Sequence, residues 1–235
     1  MNKHVVKIID SNYLNDDFKR FVITKPSGFN FIPGQSVYLS INTTELKDEI
    51  RPFTLTGLNN WESLELIIRI KTDHNGVTYK LDKLASGAEL LISNAWGTIQ
   101  YKGNGVFIAA GSGITPFIAI LRELKEKNEI SGDSLIYCNQ MYSDVILENE
   151  LRFILGDQLN LVFTRQNIIG FREKRIDETY LKQTIRNFNQ HFYVCGPKEF
   201  VEDIIKMLAD MGISAQTIVF EEKGTRLNLT DILSK

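Results

Sequence analysis

Four short segments bring together side chains whose types and spacing could do chemistry. In "RPFT", Arg51, Pro52, Phe53 and Thr54 stand in a row. The run opens with an arginine that has no obvious partner, and a proline, an aromatic and a threonine follow it. In "NGVT", Gly76, Val77 and Thr78 open a helical stretch. Free N–H groups and the hydroxyl at such a start could hold a pyrophosphate; plain N-capping is the alternative. In "AAGSGITPF", Gly111 and Gly113 follow an apolar run, and Thr115 and Pro116 begin a helix. Glycines permit a tight turn and close approach of a ligand to backbone, and proline is tolerated in a first helical turn. A βα turn without ligand is the alternative there. In "YVCGP", Cys195 ends another apolar run before Gly196 and Pro197 turn the chain. A soft thiol in that place could lie against a flat ring, or could be a small buried hydrophobe.

The elements around these segments fall into two patterns. Up to residue 101, six runs rich in β-branched and aromatic residues alternate with turn signals: "HVVKIID", "KRFVITKP", "QSVYLSIN", "RPFTLTGL", "LELIIRIK" and "ELLISNAW". That spacing predicts an antiparallel barrel or sandwich. A helix is expected in "VTYKLDKLASG", with Leu81 and Leu84 on one face and Gly87 as its stop. From residue 102 the chain alternates strand and helix: "VFIAA", "PFIAILRELKEKN", "SLIYCN", "VILENELRFIL", "LNLVFTRQ", "DETYLKQTIRNF", "HFYVCG", "PKEFVEDIIKMLADMG" and "AQTIVFEE". Uninterrupted apolar strands between helices predict a doubly wound parallel sheet covered on both faces. Its ligand is expected at the carboxyl ends of the strands. The fold class is therefore an N-terminal antiparallel β-barrel, residues 1–101, joined to a C-terminal α/β domain, residues 102–235. The tail "KGTRLNLTDILSK" is expected to fold back on the surface.

Composition narrows the function. The chain has 235 residues, 43% hydrophobic and 24% charged, enough for a full core. A formal net charge of -2 lacks the basic excess of a nucleic-acid binder. No run approaches the roughly 18 apolar residues of a membrane span. The start "MNKHVVKIIDSNYL" has no apolar signal core, so a cytoplasmic location is the default expectation. Only Cys138 and Cys195 are present, too few for an iron–sulfur cluster. His4, His74 and His191 are scattered, so no histidine metal site is expected.

In their order, "FIPGQSVYL", "RPFT", "NGVT", "GSGITPF" and "YVCGP" resemble the ferredoxin–NADP reductase family, from about residue 5 to 222. The family joins a flavin barrel to a nicotinamide domain. The resemblance implies bound FAD, with FMN as the alternative. Arg51 and Pro52 would belong to the flavin strand, with Arg51 on the phosphates. Phe53 would pack on the isoalloxazine, where many members have tyrosine, and Thr54 would reach the N5 edge. Ile68, Arg69 and Ile70 would line the ring and ribityl chain through their backbone, and Gly76, Val77 and Thr78 would take the pyrophosphate. Gly111, Gly113, Thr115 and Pro116 would hold the nicotinamide dinucleotide. Cys195, with Gly196 and Pro197, would flank the nicotinamide. Phe220, Glu221 and Glu222 occupy the place of a family acidic or aromatic residue, with Glu221 a catalytic candidate beside Thr54 and Cys195. For the donor, Thr164 and Arg165 match a serine–arginine pair of NADP-using relatives, and Arg172, Lys174 or Arg175 could add charge. NADPH is favoured and NADH stays possible.

The implied activity is hydride transfer between NAD(P)H and FAD, with single electrons passed to ferredoxin or flavodoxin. Lys3, Lys7, Lys71 and Arg69 are candidates for a local positive docking patch. A free-flavin reductase or the reductase component of an oxygenase is the rival enzyme. A non-catalytic electron-transfer subunit or a nucleotide-sensing module is the rival of another class.

Overall fold

The computed structural model describes residues 3–73, 75–171, 174–222 and 228–233. His74 and Arg172, singled out above, lie outside the described residues, as does most of the tail. The chain separates into two compact units. One comprises 1–97 with 115–123, the other 98–114 with 124–235.

Six antiparallel strands build the first unit: β1 (Lys3–Tyr13), β2 (Phe18–Thr24), β3 (Ser36–Ile41), β4 (Arg51–Thr54), β5 (Ser63–Arg69) and, after helix α1 (Val77–Asp82), β6 (Glu89–Ser93). Their order is β4-β3-β6-β1-β2-β5. A bridge between Leu55 and Leu66 brings the end of β4 back to β5, so the sheet nearly closes on itself. Closure follows from the pattern: alternate residues such as Val6, Ile8, Phe21, Ile23, Val37 and Leu39 point inward and are buried. α1 plugs this core with Val77 and Leu81. The helix stops at Asp82, short of the stop expected at Gly87. Gly87 instead adopts a left-handed φ of 88° in the turn into β6, where its N–H bonds the Ile8 carbonyl.

The second unit holds five parallel strands: β7 (Gly105–Ala110), then, beyond helix α2 (Thr115–Glu126), β8 (Ser134–Asn139), helix α3 (Glu148–Leu155), β9 (Leu159–Phe163), helix α4 (Glu178–Thr184), β10 (His191–Cys195), helix α5 (Lys198–Asp210) and the two-residue β11 (Ile218–Val219). The order β11-β10-β7-β8-β9 runs outward from β7 in one direction, then resumes on its other side with β10. The connection therefore reverses between β7 and β10, the place where doubly wound sheets bind ligands. Near-continuous burial along β7, β8 and β10 is what a sheet covered on both faces requires. The tail corrects one expectation: a short helix α6 (Leu229–Leu233) places Ile232 inside this unit's core, packed with α5, rather than on the surface.

Candidate functional site

In the first unit the candidate residues lie along β4. Among the described residues this strand pairs with β3 alone, in the register Ser36 to Thr54, Val37 to Phe53, Tyr38 to Pro52 and Leu39 to Arg51. Phe53 packs one side against the barrel core and stays partly open. Thr54 shares a hydrogen bond with the Ser36 hydroxyl at 3.2 Å. Ser36 escaped the motif-based reading, although it stands inside "FIPGQSVYL" directly opposite Thr54. Pro52 and Arg51 are exposed. The guanidinium donates to the Ile50 carbonyl at 2.8 Å and meets Glu49 at 3.3 Å. An exposed pair of that kind is worth little.

The neighbouring candidates divide by exposure. Ile68 and Ile70 are buried, while Arg69 points outward and binds Asp17 at 2.6 Å. Gly76 is the N-cap of α1 and makes no side-chain cap hydrogen bond to the first-turn N–H groups, which have no partner within the helix. The Thr78 hydroxyl accepts the Lys71 N–H at 3.2 Å and retains its own proton to donate.

Of the four cations expected to favour docking, Arg69 pairs with Asp17 at 2.6 Å and Lys7 with Glu89 at 3.9 Å, while Lys3 donates to the Lys47 carbonyl.

In the second unit the candidates converge at the switch between β7 and β10. Gly111 has φ of 53° and nothing within 4 Å of where a Cβ would stand. Gly113 is the opposite case: a Cβ there would sit 2.2 Å from the Cys195 carbonyl oxygen and 2.6 Å from the Gly196 nitrogen. Glycine is thus required for the two strand ends to meet. Gly196 is confined less tightly, a Cβ there meeting the Phe200 ring at 2.8 Å and the Ala110 Cβ at 3.1 Å. Pro197 caps α5. Thr115 and Pro116, both buried, begin α2 and belong with 115–123 to the first unit.

Burial, reinforced by the nearby Glu221 carboxylate, pushes the Cys195 thiol up to about 12. Cys195 therefore stays a neutral thiol, suited to contact rather than nucleophilic attack. Glu221 is fixed by Thr98, whose N–H and hydroxyl reach its two oxygens at 2.8 and 3.0 Å. The Thr98 hydroxyl also lies 3.0 Å from the Phe220 carbonyl. Thr98 is a residue sequence reasoning missed, because "GTIQ" carries no motif.

Thr164 and Arg165 follow β9, their N–H groups held by the carbonyls of Asn139 and Gln140 at 2.9 and 3.0 Å. Arg165 is exposed and makes no ion pair among the described residues. Lys174 and Arg175 are exposed nearby in sequence. A cavity of about 980 Å³ in this unit opens at the amino ends of the strands, by Asn104, Ser134, Asn160 and His191, and contains none of these residues.

The donor set fits a flavin dinucleotide and a nicotinamide dinucleotide. An exposed guanidinium, a hydroxyl pair and an uncapped helix start lie in the barrel unit. A glycine turn with open space at Gly111 meets, through Gly113, the backbone of Cys195 in the other. Among the described residues no group of three or more histidine, cysteine or acidic side chains could hold a metal ion. Nor is any described helix long and apolar enough to cross a membrane.

Comparison with known proteins agrees with this division. An FAD-binding domain family matches residues 3–127, more than half the chain, and an oxidoreductase NAD-binding domain family matches 107–206. Cytochrome b5 reductase 4 of Xenopus tropicalis is 26% identical, over 87% of this chain and 44% of its own length. The carnitine monooxygenase reductase subunit of Escherichia coli is 24% identical, over 92% of this chain and 67% of its length. The chain thus spans less than half of the first relative. Among solved structures, a ferredoxin NADP+ reductase from Neisseria gonorrhoeae with bound FAD and NADP superimposes with a TM-score of 0.81. It is 22% identical, with 93% of this chain and 98% of that one covered.

Proposed function

We propose, from the premise that this chain belongs to the ferredoxin–NADP reductase-like family of FAD- and NAD-binding oxidoreductases, that it draws electrons from NADPH and passes them singly to a separate carrier, ferredoxin or flavodoxin. When bound, the flavin supplies the exchange between a two-electron donor and one-electron acceptors. The observation that carries the reading is the approach of Gly113 to the Cys195 carbonyl at the strand switch. It brings the glycine turn against the backbone of Cys195, and on this reading a nicotinamide dinucleotide lies there with its ring against sulfur.

The chain's residues divide the work. Arg51 neutralises flavin phosphate, and the helix start at Gly76, Val77 and Thr78 takes the pyrophosphate. Pro52 keeps the flavin strand extended, while Phe53 offers its ring to the isoalloxazine. The backbone of Ile68, Arg69 and Ile70 lines the rest of the flavin. The Thr54 hydroxyl, oriented by Ser36, supplies a hydrogen bond at the edge where hydride arrives. Gly111, Gly113, Thr115 and Pro116 cradle the second dinucleotide, while Gly196 and Pro197 shape the turn beside it. Cys195 holds the nicotinamide face, and Glu221, fixed by Thr98, shapes the polar side of the thiol's surroundings. Thr164 and Arg165 read the 2'-phosphate.

A second reading, with a cytochrome or oxygenase as the acceptor, is favoured by the compensated charges of Arg69 and Lys7 and by the names of the two relatives. Stopped-flow reduction of the flavin-loaded protein by NADPH and NADH, followed by reoxidation with ferredoxin, flavodoxin and cytochrome b5, separates the two. Fast ferredoxin or flavodoxin reduction that slows as salt rises towards 0.5 M upholds the first. Turnover with cytochrome b5 alone moves the assignment to the second. In the same instrument Cys195→Ala should slow flavin reduction by about tenfold to a hundredfold with an unchanged flavin spectrum. A wild-type rate would leave the cysteine as packing only.

A further inference from the structure

The barrel unit contains a buried ion pair that none of the motifs explains. Glu65, in the middle of β5, is 5% exposed. Its Oε1 meets Arg122 Nη1 of α2 at 2.6 Å and accepts the Thr56 hydroxyl at 2.8 Å. The same Nη1 also donates to the Thr56 carbonyl at 2.8 Å. The Trp61 ring covers the guanidinium at 5.4 Å, and Gly57 leaves room for that ring, since a Cβ there would come within 2.8 Å of it. Arg20 lies further off, 3.9 Å from the other carboxylate oxygen.

Two features of this cluster point beyond stability. A buried ion pair is seldom more stabilising than well-packed apolar side chains of the same volume, whereas its geometry is specific. The groups it ties together are also telling. Thr56 stands two residues after Thr54, and Leu55 between them bridges to Leu66, next to Glu65. Arg122 stands two helical turns after Thr115 on the same face of α2, about 10 Å along the axis.

We propose that the Arg122–Glu65 pair is a positioning device: it sets the register of the start of α2, with Thr115, against the end of β4, with Thr54. Both ends carry residues assigned above to the two dinucleotides, so the pair controls hydride-transfer geometry without touching either. This rests on the reading of NAD(P)H-driven flavin reduction.

The test compares Arg122→Met with the double variant Arg122→Met/Glu65→Gln in the flavin-loaded protein, by thermal melting, visible circular dichroism of the flavin and stopped-flow reduction at saturating NADPH or NADH. The single variant leaves a buried carboxylate without its main partner, so its Tm should fall and its reduction should slow. The double variant removes that charge and keeps an acceptor for Thr56, so most of the Tm should return. Its flavin dichroism should still differ from wild type, and its reduction should remain about tenfold slower or worse, with KM little changed. Recovery of the rate together with the Tm would make the pair structural only and overturn the proposal. So would a wild-type rate in either variant. Should the single variant fail to fold, the double variant and Arg122→Lys decide alone: the double must be slow although stable, and the lysine must restore part of the rate. A wild-type protein reduced by neither nucleotide sinks the functional reading and this one with it. A wild type that is reduced beside a fast double variant sinks only this one.

Discussion

Strand β4 and the turn after β7 offer a ligand different atoms. Along β4 the candidates are side chains on a strand paired by only one neighbour, and two of the four are exposed. Around Gly111 and Gly113 the candidates are backbone groups, held where the ends of two buried strands touch. Side-chain recognition can be trimmed one group at a time, with the strand left standing. Backbone recognition belongs to the fold, so a change there strikes architecture and binding together.

The sharpest break of this contrast is Gly113→Ala. The added methyl would stand 2.2 Å from the Cys195 carbonyl, a distance relieved only by separating β7 from β10. A loss of about 3 kcal/mol or more in unfolding free energy is expected, with nucleotide binding lost as well. Gly111→Ala serves as the control, because its cost is only the left-handed φ, about 1–2 kcal/mol. Equal melting temperatures for the two variants would refute the distinction.

Arg51→Ala probes the other region. Its pair with Glu49 is exposed, so stability without flavin should hardly move. Flavin affinity should fall by about 2–3 kcal/mol, the scale of a lost charged hydrogen bond. Fluorescence titration of the deflavinated protein measures this. A Tm drop that matches the loss of affinity would mean that the arginine serves the fold.

How much of this was visible in the sequence follows the same division. Backbone sites announce themselves, because glycine and proline at fixed offsets have few other uses. "GSGITPF" and "YVCGP" were read correctly as strand ends, and the structure adds that they touch. The antiparallel and parallel halves were legible from alternation against continuous apolar runs. What stayed hidden are pairings between distant side chains. Arg122 looks like an ordinary helix-surface charge in "LRELKEK", and only the closed barrel brings Glu65 to it, 57 positions away. The bond of Thr98 to Glu221, itself a candidate in the sequence, was hidden likewise, 123 positions apart. The stop expected at Gly87 failed because a left-handed glycine serves a strand-entry turn as well as a helix end. The surface tail failed because Leu229, Ile232 and Leu233, although at helical spacing, make only about one turn, too short a pattern to announce a buried face.

Arg165→Ala sharpens the comparison within the parallel unit, where it tests a side chain standing beside a backbone cradle. Its guanidinium is exposed and its N–H is held by Gln140, so the loop should keep its shape. KM for NADPH should rise about tenfold, or 1.4 kcal/mol, with little change for NADH. Equal losses for both nucleotides would refute a 2'-phosphate role.

The smallest effect returns to the barrel, to the end of α1 opposite its candidate pyrophosphate site. Lys19 donates to the Asp82 carbonyl at 2.9 Å and to its carboxylate at 3.1 Å, and the Tyr13 hydroxyl donates to the same oxygen at 2.6 Å. Burial pushes the Asp82 carboxyl up, but hydrogen bonds from Tyr13, Lys83 and Lys19 together outweigh it and hold it at about 2, below the ordinary 3.8. The same hydrogen bond, helped by burial and by the charge of Asp82, raises the Tyr13 phenol to about 12. A carboxyl depressed on folding stabilises the protein above pH 3.8, and that contribution is lost as pH falls through 3.8 towards 2. Because α1 begins at Gly76, Val77 and Thr78, flavin should loosen in the same window. Asp82→Asn should therefore lower stability by about 1 kcal/mol at pH 7 and flatten its decline between pH 4 and pH 2. Chemical denaturation at a series of pH values, with flavin fluorescence as a second signal, measures both. A variant whose acid decline parallels wild type would show that the Lys19–Asp82–Tyr13 cluster does not anchor the helix.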